Sequence, residues 1–283
     1  MKESKFGKLS YRNFALRWRE IGALKKEKVT LVLSPHLDDI FLSLHATMIS
    51  GKLGKNIIGV TFFNSTNSSM EADTRTDFAS LARISVVRIG EELRFSRFLA
   101  SQGIAYLPVF LGLKDAALDR YYKFIAGGAI GTLNEGGVKK AATHFYSRMV
   151  AQEVRKLNAK SALIPLLSQF GQSIKNILAP MCVGSHIDHA IVRNVAMELG
   201  GKARFGLYAE IPYVYTTDSM SIESLRRKAP REFSEPMVTK FNPIDKDRLL
   251  KTLYPSQYEK RRHDAIFAAG KEFGEVILWR ERV

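Results

Sequence analysis

Apolar and polar positions change rhythm repeatedly along this chain, and each change marks an element. Residues 29–33 (VTLVL) form a short, wholly apolar, β-branched run, the pattern of a strand buried on both faces of a parallel sheet. A helical period follows over 40–51, closed by Gly51. Residues 56–63 make a second buried strand, ended by the polar loop NSTNSS. Helical spacing returns over 71–101, with Gly103 as its stop, and 104–111 reads as a third strand. The segment 112–138 is rich in glycine and reads as an irregular excursion or lid. Beyond it the pattern predicts a helix over 141–157 and a strand over 161–165. A helix capped by Ser185 and running to Gly200 comes next, then a strand over 205–209 and a last apolar run over 276–279. Strands alternating with helices predict an α/β fold: a Rossmann-like, mainly parallel sheet with helices on both faces. No internal repeat or long linker divides the chain, so 1–283 reads as one domain. In such folds ligands bind beyond the carboxyl ends of the strands, which makes the residues just after each strand the ones to inspect.

Composition narrows the class. Apolar residues make up 46% of 283, ordinary for a globular core, and no run approaches the ~18 apolar residues of a membrane span. The basic N-terminus lacks the apolar core of a secretory signal. A single cysteine, Cys182, excludes an intramolecular disulfide framework and a Cys-based zinc knuckle. A soluble, cytoplasmic protein is therefore expected. The net charge of +15 is concentrated at 12–28, 226–231 and 260–262. A solvated basic face accounts for it, and so does affinity for an anionic partner: a nucleotide sugar, a membrane-linked glycan, nucleic acid or acidic lipid. No nucleic-acid module accompanies the charge, so nucleic acid is not the expected partner.

Two short motifs carry the chemistry. Ser34-Pro-His-Leu-Asp-Asp39 follows the first strand, where Pro35 stops extension and polar groups crowd the start of a helix. Adjacent carboxylates repel unless a proton or cation intervenes, and His36 and Asp39 are spaced to converge on one helical turn. Ser185-His-Ile-Asp-His189 repeats the spacing at a second helix start, with His186 and His189 three apart. An Asp-Asp pair alone reads as a helix cap, and a lone His-x-x-His as a solvated pair. Both together, each opening a helix, read as a metal site of the imidazole and carboxylate type that suits zinc.

SPHLDD followed some 150 residues later by HIDH resembles the PIG-L/LmbE-like deacetylases, zinc hydrolases that remove N-acetyl groups from glucosamine-containing compounds. Arg88-Ile-Gly-Glu91, Leu113-Lys-Asp115, Tyr208-Ala-Glu-Ile-Pro-Tyr213 and Tyr254-Pro-Ser-Gln257 are similar to further family signatures. The resemblance implies that His36, Asp39 and His189 hold zinc or another divalent ion. It casts Asp38 as the general base, and His186 as the group that stabilises the oxyanion or protonates the leaving amine. Asp188 would then tune His186. Three protein ligands leave a position for water and substrate, as catalytic zinc requires. The chain departs from the family's common pattern at Leu37 and Ile40, where Pro and Glu are usual. It reads Ser43-Leu-His-Ala46 where a glycine pair is frequent, so His45 either reshapes the pocket or packs as an ordinary helix residue. Asp115, Arg120, Tyr213 and Gln257 are candidates for substrate contact. The expected activity is removal of the N-acetyl group from an N-acetylglucosamine-type sugar or its conjugate, free, nucleotide-linked or lipid-linked. The alternatives are hydrolysis of another amide, and a basic nucleic-acid- or membrane-binding protein with a vestigial metal site. Intact Asp38 and His186 argue against the last, because a structural metal needs neither base nor acid.

Overall fold

The computed structural model describes residues 27–66, 78–116, 135–170, 173–184, 186–199, 203–215 and 221–281. Strand β1 (Val29–Ser34) leads into helix α1 (Asp39–Ile49), β2 (Asn56–Thr61), α2 (Phe78–Ser101) and β3 (Ala105–Phe110). Helix α3 (Glu135–Phe170) precedes β4 (Ile174–Pro180), α4 (Ile187–Met197) and β5 (Arg204–Tyr208). The chain closes with α5 (Ile222–Lys228), β6 (Phe233–Thr239), α6 (Pro243–Leu253), α7 (Lys260–Lys271) and β7 (Glu275–Arg280).

These strands form one seven-stranded sheet in the order β3-β2-β1-β4-β5-β7-β6. Pairing is parallel from β3 through β5, and β7 runs antiparallel to both β5 and β6. The mainly parallel α/β expectation holds. Each inner strand feeds both faces of the sheet. Leu31 and Leu33 of β1 pack with α3 and α4, whereas Val32 points into the cluster formed with α1, α2, α6 and α7. Successive side chains on a strand point to opposite faces, so burial on both sides follows from an unbroken apolar run. The connections run outward from β1 through β2 to β3, then return to start again at β4 on the other flank. The carboxyl ends of β1 and β4 therefore flank a topological switch point, where a crevice opens.

Three sequence expectations need correction. Residues 161–165 are not a strand but lie inside α3, which contains Pro165. A short apolar run has no period of its own, and here Ala159, Leu163 and Phe170 are buried at helical spacing. The strand of this unit is β4, whose Lys175 and Asn176 dilute the apolar signal. The helix extends from 135, so the expected excursion of 112–138 ends there, and 117–134 lie outside the described residues. Helix α4 is capped by His186, whose Nδ1 accepts the Asp188 N–H at 3.2 Å; Ser185 lies outside the described residues.

Candidate active site

The turn after β1 is built by its own polar groups. Ser34 Oγ donates to the His36 carbonyl at 2.7 Å, and the His36 N–H donates to Asp39 Oδ2 at 2.9 Å. That local ring draws the His36 imidazole and the Asp39 carboxylate together, with Nδ1 and Oδ2 3.4 Å apart. From the loop after β4, α4 brings His189 against the same oxygen, its Nε2 3.6 Å from Asp39 Oδ2. The three residues offered by the two motifs thus converge, with donor atoms within 4.8 Å of one another.

Asp38 occupies the N-cap position of α1 but makes no capping hydrogen bond. Its carboxylate turns away and is gripped by two guanidinium groups. Arg88 from α2 donates to Oδ1 at 2.6 Å, and Arg262 from α7 to Oδ2 at 2.8 Å. Burial opposes its ionisation, but Arg262 and Arg88 outweigh burial and hold the carboxyl below its ordinary value. Glu91, one turn beyond Arg88, accepts from the N–H and hydroxyl of Ser256 at 2.8 and 2.6 Å. Gln257 Oε1 accepts from Arg262 at 3.2 Å. The Arg-x-x-Glu and Tyr-x-Ser-Gln signatures are therefore two halves of one brace behind Asp38. Gln257 serves that brace and is buried.

His189 has its own support, and here the sequence reading named the segment but not the residue. Glu210, fully buried just past β5, lies 2.9 Å from His189 Nδ1. It also accepts the Cys182 N–H at 2.6 Å. Cys182 takes a left-handed backbone (φ 65°), rare for a residue with a Cβ. Glu210 can accept a hydrogen bond from Nδ1, which leaves Nε2 as the nitrogen turned to the site. That atom is buried without a hydrogen-bond partner and faces a carboxylate. A buried imidazole nitrogen that faces a carboxylate with no hydrogen bond is where a cation between the two would be favoured. Tetrahedral zinc with bonds of about 2.0–2.1 Å separates its ligands by about 3.3 Å. The 3.4 and 3.6 Å spacings here suit such an ion.

The charge around His36 points the same way. Burial disfavours its protonation, yet Asp115, Asp188 and Asp39 together push its pKa well above the ordinary value. A cluster that draws a proton onto imidazole this strongly would draw a divalent cation too. His186 differs: burial, with His36 and His189 nearby, lowers it to about 4. Its ring is neutral at neutral pH, and with Nδ1 accepting from the Asp188 backbone, Nε2 carries the proton.

A cavity of about 150 Å³ opens on this cluster, lined by His36, Asp38, Asp39, Asp115, His186 and Tyr213 among others. Tyr213 stands edge-on to His189 with ring centroids 5.2 Å apart. Gly184 makes that approach possible, since a Cβ there would run into the Tyr213 ring. Asp115 accepts from Thr66 Oγ1 at 2.9 Å and comes within 4.0 Å of His36 Nε2. Arg120 lies outside the described residues. His45 does not line the cavity; it packs against Phe41 beside Glu275, and burial and Lys246 lower it to about 4. Among the described residues, no helix is long and apolar enough to cross a membrane.

No family model matches the chain. It is 28% identical over 206 residues to the 2'-N-acetylparomamine deacetylase of Streptomyces fradiae, which covers 71% of this chain and 63% of that relative. Its structure resembles a deacetylase of teicoplanin biosynthesis, with a TM-score of 0.61, 16% identity, and coverage of 90% of this chain and 98% of that one. The zinc-inhibited form of teicoplanin deacetylase gives a TM-score of 0.59 at 16% identity, over 90% and 98% of the two chains. The N,N'-diacetylchitobiose deacetylase of Pyrococcus horikoshii gives 0.54 at 15% identity, over 97% and 94%. At these identities the solved structures share the fold. The resemblance to the PIG-L/LmbE-like deacetylases, carried by the two motifs, is borne out.

Proposed function

We propose that this chain hydrolyses the N-acetyl group of an N-acetylated amino sugar of the N-acetylglucosamine type, or of its conjugate. In this reading His36, Asp39 and His189 hold a divalent ion, zinc in the first instance. One observation carries it: the orphaned Nε2 of His189 faces Asp39 beside a cavity that also holds Asp38 and His186. The names of the relatives, which act on acetylated amino sugars, support the substrate class.

Bound there, the ion would polarise the acetamide carbonyl and make a water acidic enough to attack near neutral pH. Asp38, ionised and fixed by Arg88 and Arg262, would take the proton from a water entering the cavity as its oxygen bonds to the carbonyl carbon. His186 Nε2–H donates to the carbonyl oxygen as negative charge develops on it. When the C–N bond breaks, the proton held by Asp38 passes to the departing nitrogen. Acetic acid and the free amine result, which ionise to acetate and ammonium, with one water consumed. Asp115 and Tyr213 line the cavity and would contact the sugar; Arg261, exposed at its edge, suits an anionic conjugate.

The test is acetate release from N-acetylglucosamine, N,N'-diacetylchitobiose and 2'-N-acetylparomamine, using zinc-loaded wild type beside Asp38→Ala. Turnover by the wild type and a ~10²–10⁴-fold loss in the variant are expected. Stoichiometric zinc without acetate from any of the three would refute the substrate class. An Asp38→Ala enzyme as fast as wild type would refute the role of Asp38.

A further inference from the structure

His36 is held from its far side as well as its near one. Its Nε2 lies 3.2 Å from Asp188 Oδ2, an oxygen that also accepts the Ala116 N–H at 2.9 Å. The other oxygen, Oδ1, accepts from the Arg155 guanidinium of α3. Arg155 in turn donates to the Lys114 carbonyl at 3.1 Å and lies over the Phe63 ring, 4.8 Å from its centroid. Asp188 is fully buried, and each of its oxygens already has a donor. His36, His186 and Asp188 could by distance alone form a second metal group. A cation held there by Asp188 would sit against the Arg155 charge, so the carboxylate is better placed to orient than to ligate.

We propose that Asp188 is a positioning residue for the metal ligand His36, anchored by Arg155, a role beyond the tuning of His186 that the family resemblance implies. The carboxylate accepts a hydrogen bond from Nε2–H, which leaves Nδ1, beside Asp39 Oδ2, to offer its lone pair to the ion. Glu210 does the same for His189 from the opposite nitrogen, so each imidazole of the trio has its own carboxylate. The hydrogen bond that His186 accepts from Asp188 comes from the backbone N–H, not from the carboxylate. One residue therefore sets two imidazoles by different atoms. This inference rests on the metal reading of His36, Asp39 and His189.

The experiment measures zinc affinity of the metal-stripped protein by competition with a chromophoric chelator, and the absorption of the cobalt-substituted protein. Wild type is compared with Asp188→Asn and Arg155→Met. Asparagine keeps the shape but has one oxygen, so it cannot face both His36 and Arg155 as acceptor. An increase in Kd of about 10–100-fold is expected for Asp188→Asn, as for other partners of metal-bound imidazoles. Arg155→Met should shift Kd in the same direction by less, with an altered cobalt spectrum. It leaves the carboxylate in place, so it carries the test alone should Asp188→Asn not fold. Wild-type Kd and spectrum in both variants, with kcat reduced in Asp188→Asn, would return Asp188 to His186 and overturn the inference. A wild type that takes up no metal would defeat the underlying metal reading itself.

Discussion

Glu92 offers a test of the fold's electrostatics that does not depend on substrate. It lies one residue past the Asp38 brace on α2, fully enclosed. Tyr106 donates to Oε1, and Tyr254 to Oε2 at 2.6 Å. Burial pushes its carboxyl up to about 7, against the two phenol hydrogen bonds that favour the anion; the Asp38 charge adds to the rise. The sign follows from linkage. Between about pH 4.5 and 7 the unfolded chain has released this proton while the folded chain retains it, so stability falls as pH rises through that window and is level above it. At about 1.36 kcal/mol per pH unit, the difference amounts to roughly 3 kcal/mol. Glu92→Gln mimics the protonated acid: its oxygen accepts from one phenol and its amide donates to the other. The variant should match wild type near pH 4.5 and exceed it by up to ~3 kcal/mol at pH 8. Urea unfolding across that range, with m unchanged, reads the effect. Parallel stability curves for the two proteins would show that Glu92 is ionised throughout and that the phenols outweigh burial.

Two further perturbations follow from the same contacts. Lys246 is fully buried, donating to Glu275 Oε1 at 2.6 Å and to the Leu42 carbonyl at 2.5 Å. Lys246→Met leaves Glu275 buried without its cation and should cost about 3–5 kcal/mol in urea unfolding near pH 8; a loss below ~1 kcal/mol would contradict the pairing. Arg262→Gln should raise the Asp38 pKa, since Arg262 is the stronger of the two charges holding it down. As the proposed base Asp38 must be ionised to act, so the acid limb of the kcat/KM profile should move to higher pH, while a limb that stays in place would remove Arg262 from the proposed mechanism.

What could be read from the sequence was what local chemistry enforces. Strands β1 and β2 are apolar runs that cannot be solvated, and the turn after β1 is closed by Ser34, His36 and Asp39, all within six residues. The convergence of that turn with His189 was also legible, because a parallel sheet with a reversal of strand order places two strand ends side by side. The supporting residues were not legible. Arg262 is one of 43 basic residues, and nothing near it in sequence distinguishes it from a solvated charge on α7; its meaning comes from Asp38, 224 positions away. Glu210 likewise becomes a partner of His189 only when β5 lies beside β4. The misassigned strand at 161–165 has the same origin, since a short apolar run takes its state from what packs against it. A metal ligand must match the ion in atom type and spacing, which confines it to few residue types at short intervals. A residue that orients such a ligand needs only to be a carboxylate or a guanidinium arriving from any element. In this fold, then, the proposed ligands were legible as two motifs, whereas Glu210, Arg155 and Arg262 meet them only through the topology that brings them in.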